Sequence, residues 1–478
     1  MLFNSLEFLL FFPFTVIVYF LLPHKLRKYF LLAASLFFYM SFIPRYILIL
    51  AFTTVVDYTA ARLIEKYHDR KALKRTVFIL GLVLNIGLLV VFKYLITICG
   101  TLNSFGATIN LDYLTQVLIL PIGISFHTFQ SMGYLIDTYT GKVPAEKSFI
   151  NFALFLMFFP QLVAGPIERT ANLMGQLKAR HTLKAENISK GGRMMLWGMF
   201  KKVVVADSFA IIADGVFDSL EKFSGMGLVV GVLAFTVQIY CDFSAYSDIA
   251  IGAAKVMDIN LMKNFDTPYF SASVPEFWRR WHISLSTWFK DYIYIPLGGN
   301  RVSKPRWVAN QMITFTVSGV WHGAGYTYPV WGFLNGIYIV LARFIKPVKD
   351  KFLKVTHLDR VPYLTKPLAI LFTFSLISFS WIFFRAENFN DAFYVITNMF
   401  SPTAMDFGDK LSTLRIWVAV GSAVILFGIE LIMAYIPKVQ QLFFKAPHLV
   451  RVALYGLMTA VIVIFGAYGN NQFIYFQF

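Results

Sequence analysis

The chain has 478 residues, and charged side chains make up 14% of it, whereas soluble proteins carry about 25%. There is too little polar surface to coat a soluble globule, while 51 Phe, 24 Tyr and 9 Trp exclude disorder and two Cys exclude a disulfide scaffold. The formal net charge of +17 therefore indicates the orientation of a polytopic membrane protein rather than nucleic-acid binding.

Segments that can cross a bilayer follow one another along the chain. A hydrocarbon core about 30 Å thick needs roughly 17–25 apolar residues in a helix. About twelve segments come near this length: 6–22, 29–44, 46–61, 76–96, 114–138, 194–215, 226–246, 309–326, 328–345, 367–384, 414–436 and 449–467. The first is predicted to stay as a membrane anchor, because Glu7 precedes its apolar run and the basic run HKLRK follows it, unlike a signal peptide.

A further apolar stretch, 149–164, is predicted to be re-entrant. Basic residues flank it on both sides, including Lys147 and Arg169, so a full crossing would place a basic loop outside the cell. Pro160 and Pro166 also interrupt its helix. A segment that dips into the membrane and returns satisfies both observations, provided that protein covers its irregular backbone.

The connections between the spans divide sharply by charge. When the spans are threaded through the membrane in turn, seven connections fall on one side and together carry 33 Lys and Arg. They are 23–28, 62–75, 139–148, 165–193, 263–308, 346–366 and 438–451. The opposite set, 97–113, 216–225, 386–413 and the C-terminal tail, carries only Lys222 and Lys410. Because cytoplasmic loops are rich in Lys and Arg, both termini are predicted to be extracytoplasmic.

No internal repeat or flexible linker divides the chain, which predicts a single membrane domain over residues 1–478. The two long basic connections, 165–193 and 263–308, are expected to face the cytoplasm. The mixture of Trp, Tyr, Ile and Arg in 263–308 is typical of a headgroup interface. Short helices parallel to the membrane are predicted there.

His322 is the first candidate functional residue. It follows an apolar run in SGVWHGAG and has glycines on both sides, which let another chain or a ligand approach the backbone. A desolvated imidazole stays neutral, which is the form that a general base needs. The alternative is a structural histidine that donates to a helix carbonyl group.

His282 lies in EFWRRWHISLSTWF, at a predicted cytoplasmic boundary. Arg279 and Arg280 precede it and are candidates to bind the phosphates of a nucleotide-carrying acyl donor. The alternative for His282 is an amphipathic interfacial helix. The alternative for the two arginines is plain positive-inside bias.

A third polar cluster lies in VQIYCDFSAYSD and includes Gln238, Asp242, Tyr246 and Asp248. The two carboxylates are six residues apart and do not share a helix face, so the spacing does not support a paired acid/base site. Cavity lining or helix capping is predicted instead. His127, close to helix-loosening Pro and Gly residues, is predicted to be structural.

Neither a metal nor a bound cofactor is predicted. The sequence has no HExxH, no GxxxxGK[ST] and no paired CxxC motif. Cys99 and Cys241 fall on opposite sides of the predicted topology, so no disulfide between them is expected.

Six blocks carry a resemblance to a known family. They are LPIGISFHTFQSMGYLIDTYTGK (120–142), FFPQLVAGPIER (158–169), QIYCDFSAYSDIAIG (238–252), NFDTPYFSASVPEFWRRWHISLSTWFKDYIYIPLGGNR (264–301), SGVWHGAG (318–325) and FIYFQF (473–478). The chain resembles the membrane-bound O-acyltransferases and, among them, the bacterial alginate O-acetylation branch. The block around His282 and the WHG at 321–323 are together specific to this family, whereas a WHG alone would be weak evidence for it.

The resemblance implies an all-α polytopic protein of the bacterial cytoplasmic membrane. It would have about 11–12 transmembrane helices, plus re-entrant and horizontal helices, forming a ridge around a central tunnel. Acetyl-CoA would be the donor substrate, and the acceptor an extracytoplasmic polysaccharide. An extracytoplasmic partner of the SGNH-hydrolase type is implied, and no nucleic acid.

The same resemblance implies roles for individual residues. His322 falls on the position of the family's catalytic histidine, and His282 on the second histidine of the bacterial branch. Arg279, Arg280 and Trp281 are the candidates for donor binding. The candidates for lining the tunnel are Gln238, Asp242, Tyr246, Trp321 and Asn335.

One segment departs from the family pattern, and the composition also fits other functions. Family members often carry His in the segment after WHG, where this chain has Asn335, and this puts the roles of 331–336 in doubt. The related branch that transfers D-alanine to teichoic acid looks less similar. A transporter of an anionic polymer or lipid, and a scaffold for a secreted enzyme, are further alternatives.

The charge asymmetry makes a testable prediction about topology. In a chain whose native cysteines are replaced, Phe105→Cys should react with a membrane-impermeant thiol reagent in intact cells, whereas Arg70→Cys should react only after the membrane is opened. Labelling of position 70 but not of position 105 in intact cells would invert the orientation.

Overall fold

The computed structural model describes residues 1–118, 120–163, 165–406, 412–436, 439, 446–468 and 473–474. These residues are mainly α-helical. The predicted connections 386–413 and 438–451 and the block 473–478 lie partly outside the described residues.

The helices are numbered α1 to α21 in chain order. Their bounds are Leu6–Leu21, His24–Met40, Ile47–Lys66, Lys71–Leu89, Leu95–Ser104, Leu111–Val117, Ile124–Tyr139, Phe149–Met157, Phe159–Leu162, Thr170–Lys178, Ala185–Met199, Asp207–Phe217, Met226–Val256, Val274–Arg280, Ile283–Phe289, Lys304–His322, Thr327–Val355, Pro362–Arg385, Phe389–Asn398, Thr413–Tyr435 and His448–Phe465. Short 3₁₀-helices lie at Pro44–Tyr46, Leu220–Lys222, Pro268–Phe270 and Leu358–Arg360, and π-helical turns at Val90–Tyr94, Phe200–Ala206 and Lys290–Tyr294. Two short strands, β1 (Phe223–Ser224) and β2 (Ala404–Met405), pair antiparallel.

Several of these helices are long and apolar enough to span a membrane. Among the described residues seven qualify: Pro44–Lys66, Lys71–Ser104, Met226–Val256, Thr327–Val355, Pro362–Arg385, Thr413–Tyr435 and His448–Phe465. Helix α1 is apolar but has only 16 residues. The prediction of an all-α polytopic membrane protein is confirmed.

Seven is five fewer than the twelve segments expected from composition. Helices α1 and α2, at the predicted spans 6–22 and 29–44, have only 16 and 17 residues, and α16, at 309–326, is not among the seven. The other two predicted spans are interrupted. Between α6 and α7, Pro121 and Gly123 divide the predicted span 114–138, and Gly123 adopts a left-handed conformation with φ of 77°. The predicted span 194–215 winds as a π-helix over Phe200–Ala206. Such turns disturb the regular helix and often occur at functional positions.

The described chain divides into two compact units. The first unit comprises Met1–Met195 and Tyr246–Lys263, and the second comprises Leu196–Ala245 and Asn264–Phe478. Helix α13 contributes its first part to the second unit and its last part to the first unit. The single domain expected from the sequence stays a prediction.

In the first unit, the predicted re-entrant segment forms the two short helices α8 and α9 with a break at Phe158. The nine residues of α8 measure about 14 Å, less than half of a hydrocarbon core. The side-chain amides of Gln130 and Gln161 both donate to the carbonyl oxygen of Phe155, at 2.9 and 2.6 Å. The interrupted backbone is therefore satisfied by buried protein groups, as a membrane interior requires.

Polar side chains also join α3 to α7 in the first unit. The buried carboxylate of Asp57 accepts hydrogen bonds from Asn85, at 2.7 Å, and from Ser131. One turn away, the hydroxyl of Thr53 lies 2.8 Å from Nε2 of His127. These contacts tie the helices together, in line with the structural role predicted for His127.

In the second unit, glycines bring α16 and α17 into close contact. A Cβ atom on Gly319 would overlap the carbonyl oxygen of Tyr328, and one on Gly332 would overlap that of Phe315. Small residues at such positions let two helix backbones approach closely inside a membrane. This contact fixes the end of α16, where His322 lies.

Replacing Gly319 with Ala should destabilise the protein by about 1–3 kcal/mol, because the added methyl group must push α16 and α17 apart. Thermal unfolding in detergent measures the loss. Gly87→Ala is the matched control, because no described atom lies within 4 Å of a Cβ at that helical position. Equal melting temperatures for both variants would contradict the close contact.

Candidate functional site

His282 occupies the junction between α14 and α15 in the second unit. It caps α15 with φ of 43° and ψ of 55°, a left-handed conformation that is unfavourable for residues other than glycine. Its side chain is buried, with 1% of its surface exposed. Sterically unfavourable backbone of this kind persists where the surroundings hold it and is frequent at functional positions.

Asn264 holds the ring of His282 in one orientation. Its side-chain oxygen lies 3.1 Å from Nδ1 of His282 and accepts from the backbone N–H and the hydroxyl of Ser284, at 3.2 and 2.9 Å. A backbone N–H can only donate, so the atom it meets is the amide oxygen. Nδ1 must therefore donate to the same oxygen, which leaves the lone pair of the neutral ring on Nε2.

Apolar surroundings keep His282 neutral. The ring meets Phe243 edge to face at 4.5 Å and lies 6.3 Å from the ring of Phe265. Burial lowers the pKa of His282 from 6.5 to about 3. At neutral pH the ring is therefore uncharged, and Nε2 carries its lone pair.

His322 is the last residue of α16 and is enclosed by aromatic rings. The centroids of Trp321, Trp331 and Phe384 lie 4.8, 5.0 and 5.4 Å from its own ring. Gly323, which ends the helix, leaves room for Tyr328, since a Cβ there would overlap the tyrosine ring. His322 itself is 4% exposed.

Trp321 connects the two histidines. Its ring lies 6.5 Å from that of His282 and 4.8 Å from that of His322. Behind them, Trp381 stacks on Trp331 at 5.5 Å and meets Trp281 at 5.2 Å. The structure thus gathers three predicted site residues, His282, His322 and Trp321, into one aromatic cluster.

Three aromatic residues of this cluster could not be predicted from the sequence. Trp331 lies in the doubtful segment 331–336, while Trp381 and Phe384 belong to an apolar span with no motif of their own. Asn264 opens the matching block 264–301, yet its amide carried no chemical signal in the sequence. Their importance follows from contacts between distant segments.

The predicted tunnel-lining residue Asp242 takes part in a buried ion cluster. Nζ of Lys202 lies 2.9 Å from Asp242 and 2.8 Å from Asp207, and the three side chains are at most 3% exposed. The other oxygen of Asp242 accepts from the backbone N–H of Ile474 at 2.7 Å. Charged residues within the predicted span 194–215 were the available signal for Lys202 and Asp207.

The other predicted lining residues have varied surroundings. Gln238 is buried in the second unit, whereas Tyr246 belongs to the first unit and packs against Phe3 at 5.4 Å. The amide of Asn335 donates to the carbonyl oxygen of Trp331 in its own helix, at 2.9 Å. Their roles in a tunnel stay predictions.

The predicted donor-binding residues differ in exposure. Arg279 is exposed, whereas Arg280 forms an ion pair of 2.7 Å with Glu276. Trp281 is buried and stacks on Phe277 at 5.4 Å. Donor binding by these three residues stays a prediction, and Arg279 has the freest access to solvent among them.

Comparison with known proteins identifies the family. The profile of MBOAT, the membrane-bound O-acyltransferase family, matches residues 143–384, which include both histidines of the aromatic cluster. The chain belongs to the membrane-bound O-acyltransferase family. This membrane-bound O-acyltransferase is therefore an enzyme held in the membrane by several spans.

Relatives of this O-acyltransferase confirm its resemblance to the alginate O-acetylation branch. A probable alginate O-acetylase of Azotobacter vinelandii is 38% identical over 412 residues, covering 86% of this chain and 79% of that protein. A peptidoglycan O-acetyltransferase of Helicobacter pylori is 37% identical over 431 residues, covering 84% and 80%. A teichoic acid D-alanyltransferase of Streptococcus thermophilus is 30% identical over 289 residues, covering 56% and 69%.

The lowered pKa of His282 predicts a pH-dependent stability. Below about pH 6.5 the unfolded chain binds a proton at this ring, whereas the folded chain does so only near pH 3. The free energy of unfolding should therefore fall by about 2 kcal/mol from pH 7 to pH 5 because of this residue.

Thermal unfolding of the wild type and of His282→Gln at both pH values measures this contribution. The variant should lose less stability on acidification than the wild type. Comparing each protein with itself at two pH values cancels any constant effect of the substitution. An identical pH dependence for the two proteins would refute the buried neutral histidine.

Proposed function

We propose that this O-acyltransferase takes an acetyl group from cytoplasmic acetyl-CoA and passes it across the membrane for O-acetylation of an extracytoplasmic polysaccharide. The observation that carries this proposal is the similarity, over 84–86% of the chain, to an alginate O-acetylase and a peptidoglycan O-acetyltransferase. The two buried histidines, whose rings both lie close to Trp321, fall within the matched region and offer the proton chemistry that such a transfer needs.

A thioester is already an activated acyl donor, so the enzyme has to position the acceptor hydroxyl and remove its proton. We assign that step to His322. The hydroxyl oxygen attacks the thioester carbonyl, His322 takes the proton, the C–S bond breaks, and the thiolate recovers the proton from the imidazolium. A positioned base of this kind typically contributes about 10²–10⁴-fold.

His282 has a different part in the proposal. With Nδ1 donating to Asn264, Nε2 of the neutral ring has no proton to donate to a thioester carbonyl. Nε2 instead suits proton acceptance or nucleophilic attack. In the second case, Nε2 attacks the thioester carbonyl, the C–S bond breaks and CoA leaves as its thiolate. The acetyl group then rests on the imidazolium ring of His282 before it reaches the acceptor.

An extracytoplasmic partner of the SGNH-hydrolase type completes the proposed pathway, with this protein in the bacterial cytoplasmic membrane. The predicted outer connection 386–413 supports partner binding, because helix α19 and its end expose Phe393 and Phe400, which are 57% and 85% exposed. Exposed aromatic groups of this kind often mark an interface.

Transfer of D-alanine to teichoic acid is the second candidate, favoured by the similarity to the teichoic acid D-alanyltransferase. Two assays of the purified protein separate the candidates, one with labelled acetyl-CoA and one with a labelled D-alanyl carrier, each with a polysaccharide fragment as acceptor. Transfer of label from acetyl-CoA supports the proposal, while transfer only from the D-alanyl carrier supports the second candidate. A transporter would release no free CoA in either case.

His322→Ala should reduce acetyl transfer by at least about 100-fold while the protein stays inserted and folded, because only the proton acceptor is lost. His322→Gln keeps one hydrogen-bonding group and should restore any lost stability without restoring turnover. Transfer of labelled acetyl and thermal unfolding in detergent measure the two effects separately.

His357→Ala is the matched control, since His357 is exposed and remote from the aromatic cluster in sequence. It should transfer acetyl at the wild-type rate. Wild-type turnover in a folded His322→Ala protein would remove His322 from the mechanism, and His282 would become the leading candidate for the base.

A further inference from the structure

A second polar site lies in the first unit, at the junction of α1 and α2. A cavity of about 540 Å³ opens there between the loop that joins these helices and the end of α10. Its lining includes the cations of Lys25, Arg27 and Lys28, together with apolar groups such as Leu26 and Leu31. The cavity therefore combines positive charge with an apolar surface.

The positive charge of this cavity is not neutralised within the described residues. Lys25, Arg27 and Lys28 form no ion pair with any carboxylate that the structure describes. The fourth cation of the lining, Lys178, is already paired with Glu146. Three positive charges within four residues repel one another, so an anion in the cavity would stabilise them.

Arg27 is fixed in place by neutral groups. Three of its N–H groups donate to backbone carbonyl oxygens, those of Leu22 at 2.9 Å, His181 at 2.6 Å and Phe20 at 3.1 Å. The nearby carboxylate of Asp258 is bound by Lys184 instead, at 3.0 Å. The guanidinium is thus held in one position by uncharged groups, and no carboxylate in the described part of the chain neutralises its positive charge. This arrangement suits the binding of a phosphate group.

Helix α1 ends beside this cavity, which its residue Tyr19 lines, and exposes an apolar face along its length. Exposed apolar side chains follow one another along the face at helical spacing: Leu10, Phe14, Ile17 and Leu21 are 59–78% exposed. In a membrane-spanning protein, such a face contacts acyl chains. A ligand with both an acyl chain and a phosphate would match the face and the cavity together.

We propose that this cavity binds the phosphate headgroup of an anionic phospholipid whose acyl chains lie along the exposed face of α1. Lys25 and Lys28 contact the headgroup and Arg27 holds the phosphate. The site is separate from the histidine cluster and does not depend on the proposed reaction.

Native mass spectrometry of the full-length protein in detergent tests the proposal, with phosphatidylglycerol and phosphatidylcholine as probes. The wild type should bind its first phosphatidylglycerol molecule more tightly than further molecules of the same lipid. With phosphatidylcholine, the first molecule should bind no more tightly than further ones. The variant K25Q/K28Q should weaken that binding by about 30-fold, since each basic residue near an anionic headgroup contributes several-fold.

K351Q/K354Q is the matched control, because it removes two exposed lysines at the same spacing from another helix end and should bind phosphatidylglycerol as the wild type does. The melting temperatures of both variants without lipid check that the fold is kept. Equal binding by folded K25Q/K28Q and the wild type would overturn the proposal. Displacement of the lipid by millimolar inorganic phosphate would also overturn it, in favour of a soluble phosphate ligand.

Discussion

The constraint on which this structure depends is that a polar group inside a bilayer must find its partner within the protein. The break between α8 and α9 is possible because Gln130 and Gln161 stay bonded to the carbonyl group of Phe155 in the buried interior. The carboxylate of Asp57 is matched by Asn85 and Ser131 in the same way. These internal partners allow irregular helices and buried charges where lipid alone would exclude them.

The same constraint shapes the histidine cluster. Asn264 uses one amide oxygen to fix both the start of α15 and the protonated nitrogen of His282. His322 instead ends a helix among aromatic rings, where Gly323 gives Tyr328 room to pack. Asn264 thus orients His282, and aromatic rings enclose His322.

Composition and charge were sufficient to predict an all-α membrane protein, because both act over whole segments. Apolar length alone overestimated the number of long helices, since it ignores the effect of Pro121 and Gly123 on the backbone. The two histidines could be found because motifs surround them. Asn264 and Trp381 could not be assigned to the site, because their contacts join residues far apart in sequence.

The buried ion cluster has a consequence for biosynthesis. Lys202 and Asp207 are five residues apart, so this ion pair can form as soon as their segment leaves the ribosome. Lys202 also pairs with Asp242, which lies in a later helix, so the cluster is incomplete until that helix has been made. Ile474 makes its bond to Asp242 only after the final helix has been made. The cluster therefore assembles in full only when segments far apart in the sequence have come together.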